Sequence, residues 1–468
     1  MIGMHGIRPE RAGGRGLPAG PPSPPSPPMP ATYEIRDPIH RTITIDEQER
    51  VILDHPWVQR LRHIRQLGLV SMVYPGAVHD RFQHSLGVMH LAGEFFQRLR
   101  QARPKVLAAY DEKDLDYAWR VVRLAGLLHD VGHAPFSHST EDCFPAVETV
   151  SLPTDWYRAG MNPRVRRASH EDAGLAIVHA LVEQKVIADG LGRDVAAVLC
   201  LEVRRSPRLR SFGGLVRLLR ALVSGEMDAD RCDYLLRDSH FTGVSYGVYD
   251  LQRLMACLVA LDGPEGPELG LDVHGVFALE GLLMARYHMF HQVYFHKTPP
   301  SLEYFFERAI EEGEVDLSLE RGITDLVALR DDSLLAQAHG ARAAGRPWSR
   351  RLLNREPGKL VLRERMGAEQ QENFLAQELV GALRGEGCHV FVRRSRQRFS
   401  DLAGAAGAEA GTRLLCERRI LGRPIVEPVT AHSALLSAFN SPIDVRHTYV
   451  LREDEAKART VMERLKLW

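Results

Sequence analysis

The sequence predicts a mainly α-helical body followed by a smaller C-terminal α+β region. Two observations carry this reading. From Glu47 to about Arg308 apolar residues recur at helical spacing, and after about Gly313 stretches that alternate apolar with polar residues, or are rich in β-branched ones, take over. The length of 468 residues is ample for a sizeable core.

Residues 1–31 are rich in Gly, Pro, Arg and Ser and bury too little apolar surface to offset their ordering entropy, so a disordered tail is expected. Order is expected from Tyr33, with Tyr33–Arg36 and Thr42–Ile45 forming a small hairpin around Asp37-Pro38. Trp57, Leu61, Ile64 and Leu67 follow Pro56 at helical spacing. Asp80–Arg100 carries His84, Val88, Leu91 and Phe95 on one stripe and Gln83, His90, Glu94 and Gln97 on another. Asp114–His129 is a more apolar core helix with Asp116, Arg120 and Arg123 on its polar face, and Gly225–Arg237, Phe277–Phe295 and Ser301–Ile310 are further helices. In the last third, Lys359–Arg365, Cys388–Arg394, Pro424–Val429 and Val445–Leu451 read as strands. The expected division is therefore a tail at 1–31, a helical core at 32–312 and an α+β region at 313–468.

Composition narrows the function. Lys+Arg and Asp+Glu both number 60, so no global field draws in nucleic acid or an anionic membrane. The basic runs Arg164–Arg167, Arg204–Arg210 and Arg393–Arg398 read as solvated faces before they read as phosphate cradles. The six cysteines are scattered without a C-x-x-C pair, which points to a reducing compartment rather than a disulfide framework or zinc ribbon. With no signal-like apolar run at the N-terminus and none of spanning length, a cytoplasmic location is expected.

Among 21 histidines, His84, the pair His129-Asp130, and Asp230 form an ordered set. At about 100° per residue, His129 lies opposite Arg120 and faces the core, and His84 shares the stripe of Val88 and Leu91. Buried imidazoles need partners, and a metal is an efficient one. Two imidazoles and two carboxylates suit a divalent Mn, Fe, Co, Ni or Zn, with Mg an alternative, and leave positions open for a water and a phosphate oxygen. A lone His-Asp dipeptide is weak evidence: the chain holds a second, His79-Asp80, read as a loop decoy after Pro75-Gly76. His84 alone would more often be a satisfied core histidine. The ordered set is far more specific.

In their surroundings these residues resemble the deoxynucleoside-triphosphate triphosphohydrolases of the HD superfamily, in the branch that includes the vertebrate enzyme carrying a sterile-alpha-motif domain. The carrying stretches are Asp37-Pro38-Ile39-His40, Gln59-Arg60-Leu61-Arg62, Gln66-Leu67-Gly68, Arg81-Phe82-Gln83-His84-Ser85-Leu86-Gly87 and Gly126-Leu127-Leu128-His129-Asp130-Val131-Gly132-His133. They continue with Pro135-Phe136-Ser137-His138, His170-Glu171, Asp230-Arg231-Cys232-Asp233-Tyr234 and Tyr294-Phe295-His296-Lys297. The resemblance covers residues 33–310 well and the remainder weakly, and no sterile-alpha-motif domain is expected here.

The resemblance implies an HD-domain helical core, metal ligands at His84, His129, Asp130 and Asp230, and catalytic or phosphate-contacting roles for His133, His138 and His170. His138 would be the general acid, oriented by Glu141, with Glu171 supporting His170. It implies substrate contacts at Gln66, Arg81, Arg231, Tyr234, Asp238 and Tyr294. Arg81 and Arg231 would grip phosphates, Gln66 and Asp238 would meet the sugar 3′-hydroxyl, and Tyr234 would pack under the deoxyribose. Asp54, Gln59 and Arg62 match residues that bind an activating guanine nucleotide, although Arg41 and Tyr33 depart from the pattern where Gly and Lys are usual. The implied reaction is hydrolysis of a deoxynucleoside triphosphate to deoxynucleoside and tripolyphosphate by a homo-oligomer. Two alternatives stay open: an HD phosphatase or phosphodiesterase acting on nucleoside monophosphates or cyclic nucleotides, and a non-catalytic sensor of nucleotides or nucleic acid. Neutral overall charge disfavours a dedicated nucleic-acid binder.

Overall fold

The computed structural model describes residues 32–466 except 103, 138–139, 141–142, 151, 159–165, 366–373, 398–399, 401, 403–413 and 439–441. The expected tail at 1–31 and the candidates His138 and Glu141 lie outside the described residues.

The hairpin forms where the sequence predicts it. Thr32–Asp37 pairs antiparallel with Arg41–Asp46, from Thr32 opposite Asp46 to Asp37 opposite Arg41. At its tip Asp37 Oδ1 accepts from the Ile39 and His40 amides at 2.9 and 2.8 Å, and Arg41 takes a positive φ of 66°. That turn directs His40 inward.

The helical body is built around Arg81–Gln101, which packs on Glu112–Leu128 and on Ala229–Thr242. Asp80 starts the first of these by accepting from the Gln83 amide at 2.9 Å, an N-cap worth about 1 kcal/mol. Asp111 and Asp228 cap the other two in the same manner. Gly87 permits the close crossing of Arg81–Gln101 on Ala229–Thr242, since a Cβ there would meet an Asp233 carboxylate oxygen at 1.8 Å. Val88, Leu91, Phe95, Val121, Leu124 and Leu128 are fully buried in the shared core. The expected Phe277–Phe295 helix runs over Val276–Met289 and then widens into a π-helical turn, Phe290–Tyr294, closed by Phe295 N donating to Phe290 O at 2.8 Å.

The β structure departs from expectation in two places. The region read as predominantly helical contains an antiparallel pair, Leu258–Gly263 with Gly266–Asp272. The strand Leu415–Ile420, absent from the sequence reading, lies parallel to Gly266–Asp272 and antiparallel to Arg423–Pro428, giving one four-stranded sheet. Segments from both sides of residue 312 thus share that sheet. The remaining predicted strands form a three-stranded sheet with Ile443–Val450 between Lys359–Arg365 and Val390–Gln397. No helix among the described residues is long and apolar enough to cross a membrane.

Candidate active site

His84 sits one turn into Arg81–Gln101 and is 1% exposed. Its Nδ1 bonds Asp233 Oδ2 at 2.8 Å, which leaves Nε2 to face Asp230 Oδ1 at 3.0 Å and Asp130 Oδ2 at 3.8 Å. His129 is the C-cap of Glu112–Leu128. Its Nδ1 bonds the Gly126 carbonyl oxygen at 2.7 Å, and its Nε2 lies 3.3 Å from Asp130 Oδ1 and 3.7 Å from Asp230 Oδ1. Nε2 of His129 is buried and has no hydrogen-bond partner among the described residues.

The donor set therefore fits a divalent cation. Each imidazole has one nitrogen committed to a carboxylate or carbonyl and the other aimed at two carboxylates, which is how metal-ligating histidines are held. The ligand atoms of His84, His129 and Asp230 lie within 4.8 Å of one another. Asp130 is not part of that trio, although its oxygens lie 3.3 Å from His129 Nε2 and 3.8 Å from His84 Nε2; it belongs to a second group, Asp130, His133 and His170, whose ligand atoms lie equally close together. It bridges the two.

Charge explains how the cluster can persist although only Asp230 among the four is substantially exposed. Burial alone would neutralise the His84 imidazole, but Asp230 and Asp233 overcome it and hold its pKa up to about 10. Burial opposes the Asp130 carboxylate, yet the Arg81 guanidinium, with His129 and His133, keeps it well below the usual range. Asp230 is likewise lowered by His129 and His84 against burial. His133 moves the other way: burial and then the adjacent Arg81 push it well below its ordinary value.

His133 donates its Nε2 side to this centre, 3.3 Å from Asp130 Oδ1, and its ring stacks on that of His170 at 3.9 Å and 15°. His170 opens the helix His170–Glu183, capped by Ser169, and its Nε2 lies 3.8 Å from Glu171 Oε1. The two meet because Gly132 lets the loop approach closely: a Cβ there would lie 2.1 Å from the His170 carbonyl oxygen. Arg81, 3% exposed, contacts Asp130 Oδ2 and donates Nε–H to Ser137 Oγ at 2.9 Å.

The remaining substrate candidates divide. Tyr294 donates its hydroxyl to Asp238 Oδ2 at 2.7 Å, Tyr234 lies edge-on to Tyr294 at 6.3 Å, and Gln66 presents a buried Oε1 without a hydrogen-bond partner among the described residues. Arg231 instead engages Glu226 Oε2 at 2.9 Å, with Asp228 Oδ2 at 3.7 Å. The regulatory candidates lie on the surface: Asp54 pairs with Arg50 at 3.0 Å, and Arg62 donates to Gln59 Oε1 at 2.7 Å while covering the Phe82 ring at 3.8 Å. Gln59 also donates to the Leu53 carbonyl oxygen at 2.8 Å.

Two residues around the site were overlooked or dismissed in the sequence. Asp233 is fully buried and bonds His84, His40 Nε2 at 2.6 Å, and Arg237 through both oxygens at 2.8 and 2.9 Å, while Arg237 also reaches Asp37 Oδ2 at 2.8 Å. Its signal was available, because Asp230 and Asp233 are three residues apart and share a helix face. His79, read as part of a loop decoy, is 1% exposed and bonds Asp238 Oδ1 at 2.7 Å. His79 does lie in a loop, as read, but nothing in Pro75-Gly76 reveals that the distant Asp238 buries it.

Comparisons with known proteins agree with this geometry. The HD domain matches residues 81–236, spanning all four expected ligands, and the HD associated region matches residues 249–376. An uncharacterized protein of Methanocaldococcus jannaschii is 31% identical over 302 residues, 64% of this chain and 54% of that protein. Deoxynucleoside triphosphate triphosphohydrolase SAMHD1 of Bos taurus is 44% identical over 243 residues, 47% of this chain and 37% of that protein. The chain thus spans roughly half or less of these relatives' lengths. A crystal structure of a hypothetical protein from Aquifex aeolicus superposes with a TM-score of 0.68 at 25% identity, covering 92% of this chain and all of that one. The two matched regions together take in more than half of the sequence, and the chain belongs to the HD-domain family, carrying an HD domain joined to an HD-associated region.

Proposed function

We propose that this chain hydrolyses deoxynucleoside triphosphates to deoxynucleoside and tripolyphosphate, with a divalent cation held by His84, His129, Asp130 and Asp230. The observation that carries the reading is the bridging position of Asp130. Its Oδ1 lies 3.3 Å from Nε2 of both His129 and His133, and its Oδ2 meets Arg81 and lies 3.8 Å from His84 Nε2, so each oxygen touches one residue of the expected ligand set and one of the group that includes the stacked His170. A single-phosphate site needs only the His84, His129 and Asp230 group. The bound cation would supply Lewis-acid polarisation of a phosphoryl oxygen and neutralise charge.

The chain's own residues supply the rest. Arg81 offers a planar fork of donors to phosphate oxygens, and His133, which burial and that guanidinium disfavour as a cation, can donate one hydrogen bond beside it. Asp238, fixed by His79 and Tyr294, would accept from a sugar hydroxyl beside Tyr234. His138 would protonate the leaving oxygen, with Glu141 orienting it. The SAMHD1 relatives bear the name of this activity and so support this substrate class. By the same resemblance the chain works as a homo-oligomer in the cytoplasm and takes a guanine nucleotide at Asp54, Gln59 and Arg62.

The test is to incubate the metal-loaded full chain with deoxynucleoside triphosphates, deoxynucleoside monophosphates and cyclic nucleotides and to separate the products by chromatography. Tripolyphosphate and deoxynucleoside in equal amounts are expected. Successive diphosphate and monophosphate would establish an ordinary phosphatase, turnover of cyclic nucleotides a phosphodiesterase, and intact nucleotides throughout a sensor.

A further inference from the structure

The turn that follows the His129-Asp130 pair is strained. Phe136 and Ser137 both take a φ of 56°, a left-handed conformation that non-glycine residues adopt only when their surroundings impose it. What imposes it comes from outside the HD domain. Asp331, the first residue of the helix Asp331–Ala343 in the HD-associated region, is 4% exposed. Its Oδ1 accepts from the Phe136 amide at 2.8 Å and its Oδ2 from the Arg65 amide at 2.9 Å.

Those two amides flank a chain of contacts that ends in the site. Ser137 Oγ donates to the Arg65 carbonyl oxygen at 2.9 Å and accepts from Arg81 Nε at 2.9 Å. The Arg65 segment is also tied to the start of the Arg81 helix, with Arg81 N donating to Ile64 O at 2.9 Å and Gln66 N to His79 O at 3.1 Å. A second clamp runs parallel to the first. Buried Arg60 donates to the carbonyl oxygens of Val131 and His133 at 3.2 and 2.7 Å, and to that of Leu329, two residues before Asp331, at 3.4 Å.

We propose that Asp331 is a positioning residue for Arg81: by holding the Arg65 and Phe136 amides, it fixes the Ser137 hydroxyl that aims the guanidinium at Asp130. An acidic residue in a first helical turn ordinarily serves its own helix. Here both oxygens instead accept from amides distant in sequence, which is the arrangement a clamp requires. The ionised carboxylate is acceptor-only and can take both bonds, whereas an amide in its place presents an N–H to one of the two donors. Burial raises the Asp331 carboxyl to about 6, with the two amides and then Arg65 opposing that rise. The HD domain's phosphate-gripping group thus depends on a carboxylate supplied by the region that follows it. The part of the proposal that concerns phosphate rests on the hydrolase reading above; the part that concerns Arg81's position does not.

The experiment uses the full metal-loaded chain as wild type, Asp331→Ala, Asp331→Asn, Arg81→Ala, the double variant Arg81→Ala with Asp331→Asn, and the exposed control Asp332→Ala. Three quantities are read: hydrogen exchange of peptides spanning residues 60–68 and 130–137, the rate at which phenylglyoxal modifies Arg81, and the affinity for inorganic tripolyphosphate. Loss of two buried N–H acceptors is expected to speed exchange in both peptides and Arg81 modification, and to weaken tripolyphosphate binding roughly tenfold. Metal content should stay unchanged, Asp332→Ala should behave as wild type, and the double variant should bind tripolyphosphate no more weakly than Arg81→Ala. Should Asp331→Ala fail to fold, Asp331→Asn, which keeps one acceptor, gives the same readings. Unchanged exchange and unchanged Arg81 reactivity overturn the proposal, as does additive loss in the double variant. Absence of tripolyphosphate binding by wild type would sink the hydrolase reading alone, with exchange and modification still deciding whether Asp331 positions Arg81.

Discussion

Two clusters of opposite charge, the inner site and the Arg50–Arg62 surface, are built from the same residue types and are held in opposite ways. In the inner site the pairs span long stretches of chain: 49 residues from Arg81 to Asp130, 149 from His84 to Asp233 and 200 from Asp37 to Arg237. All of these side chains are nearly or fully buried. On the surface the pairs are one helical turn apart, Arg50 with Glu47 and Asp54, and Arg62 with Gln59, and the Asp54 side chain is 62% exposed. An exposed pair of this kind forms and breaks at little cost in free energy. A buried charge is costly unless every partner is present, so a fold gains no stability from a buried network that an apolar core would not also supply. The buried Arg123–Glu49 pair lies outside the site, so burial alone does not mark chemistry; what sets the inner site apart is the convergence of His84, His129, Asp130 and Asp230, which the surface cluster lacks.

The sharpest way to break that contrast is to remove a ligand. Asp130→Ala deletes the carboxylate shared by both halves of the site and is expected to abolish metal binding and hydrolysis together, measured by metal content and product chromatography. Full activity in metal-free Asp130→Ala would end the proposal. A smaller effect is expected from Asp233→Asn, which keeps the shape but withdraws the charge that orients His84. Metal affinity should fall by roughly 10–100-fold while the helical circular dichroism is retained. An affinity equal to wild type would reduce the Asp233–His40–Arg237 network to a purely structural role.

Legibility follows the same division. The four expected ligands were legible as candidates because each lies at a fixed place on a helix: His84 on an apolar stripe, His129 and Asp130 at a helix end, Asp230 in a first turn. The hairpin and four of the C-terminal strands were legible from alternation. What escaped was decided by contacts distant in sequence. The pair Leu258–Gly263 and Gly266–Asp272 lies within helical surroundings, and its partner Leu415–Ile420 is remote. Asp331 reads as an ordinary helix-start acid, and only the fold reveals that its oxygens meet Arg65 and Phe136. Periodicity reports which face is buried; it does not report what waits there.

A milder perturbation is pH. The Asp331 carboxyl, raised to about 6 by burial, keeps both amide acceptors when ionised and surrenders one when protonated. Wild-type hydrolysis should therefore carry an acid limb near pH 6 that Asp331→Asn lacks, with Arg60, Arg65 and Arg81 the cations that act on the group. Stability runs the other way. A folded pKa above the unfolded one means that the native state binds the proton more tightly, so this group's contribution is fully present below about 4 and is lost as pH rises through about 6. An activity limb that tracks melting temperature would assign the effect to unfolding rather than to Arg81.

The smallest effect is expected at the surface. Asp54→Ala breaks one exposed contact to Arg50, whose guanidinium keeps Glu47 as a partner, so basal hydrolysis and melting temperature should match wild type. The only reading in which Asp54 matters is the regulatory one. Its carboxylate could accept from a guanine edge once freed from Arg50, and Arg62 could meet a base or phosphate once freed from Gln59 and Phe82. Tyr33, which stands where the resemblance leads one to expect Lys, donates its hydroxyl to Glu47 at 2.6 Å and supplies no cation for a triphosphate, so any activation should be weaker than in relatives with Lys. Measuring dATP hydrolysis and particle size with and without GTP, in wild type and Asp54→Ala, decides it. Stimulation and assembly that vanish in Asp54→Ala would make this surface functional and break the contrast with the inner site. Stimulation and assembly that persist unchanged would place regulation elsewhere and leave this patch as solvated helix.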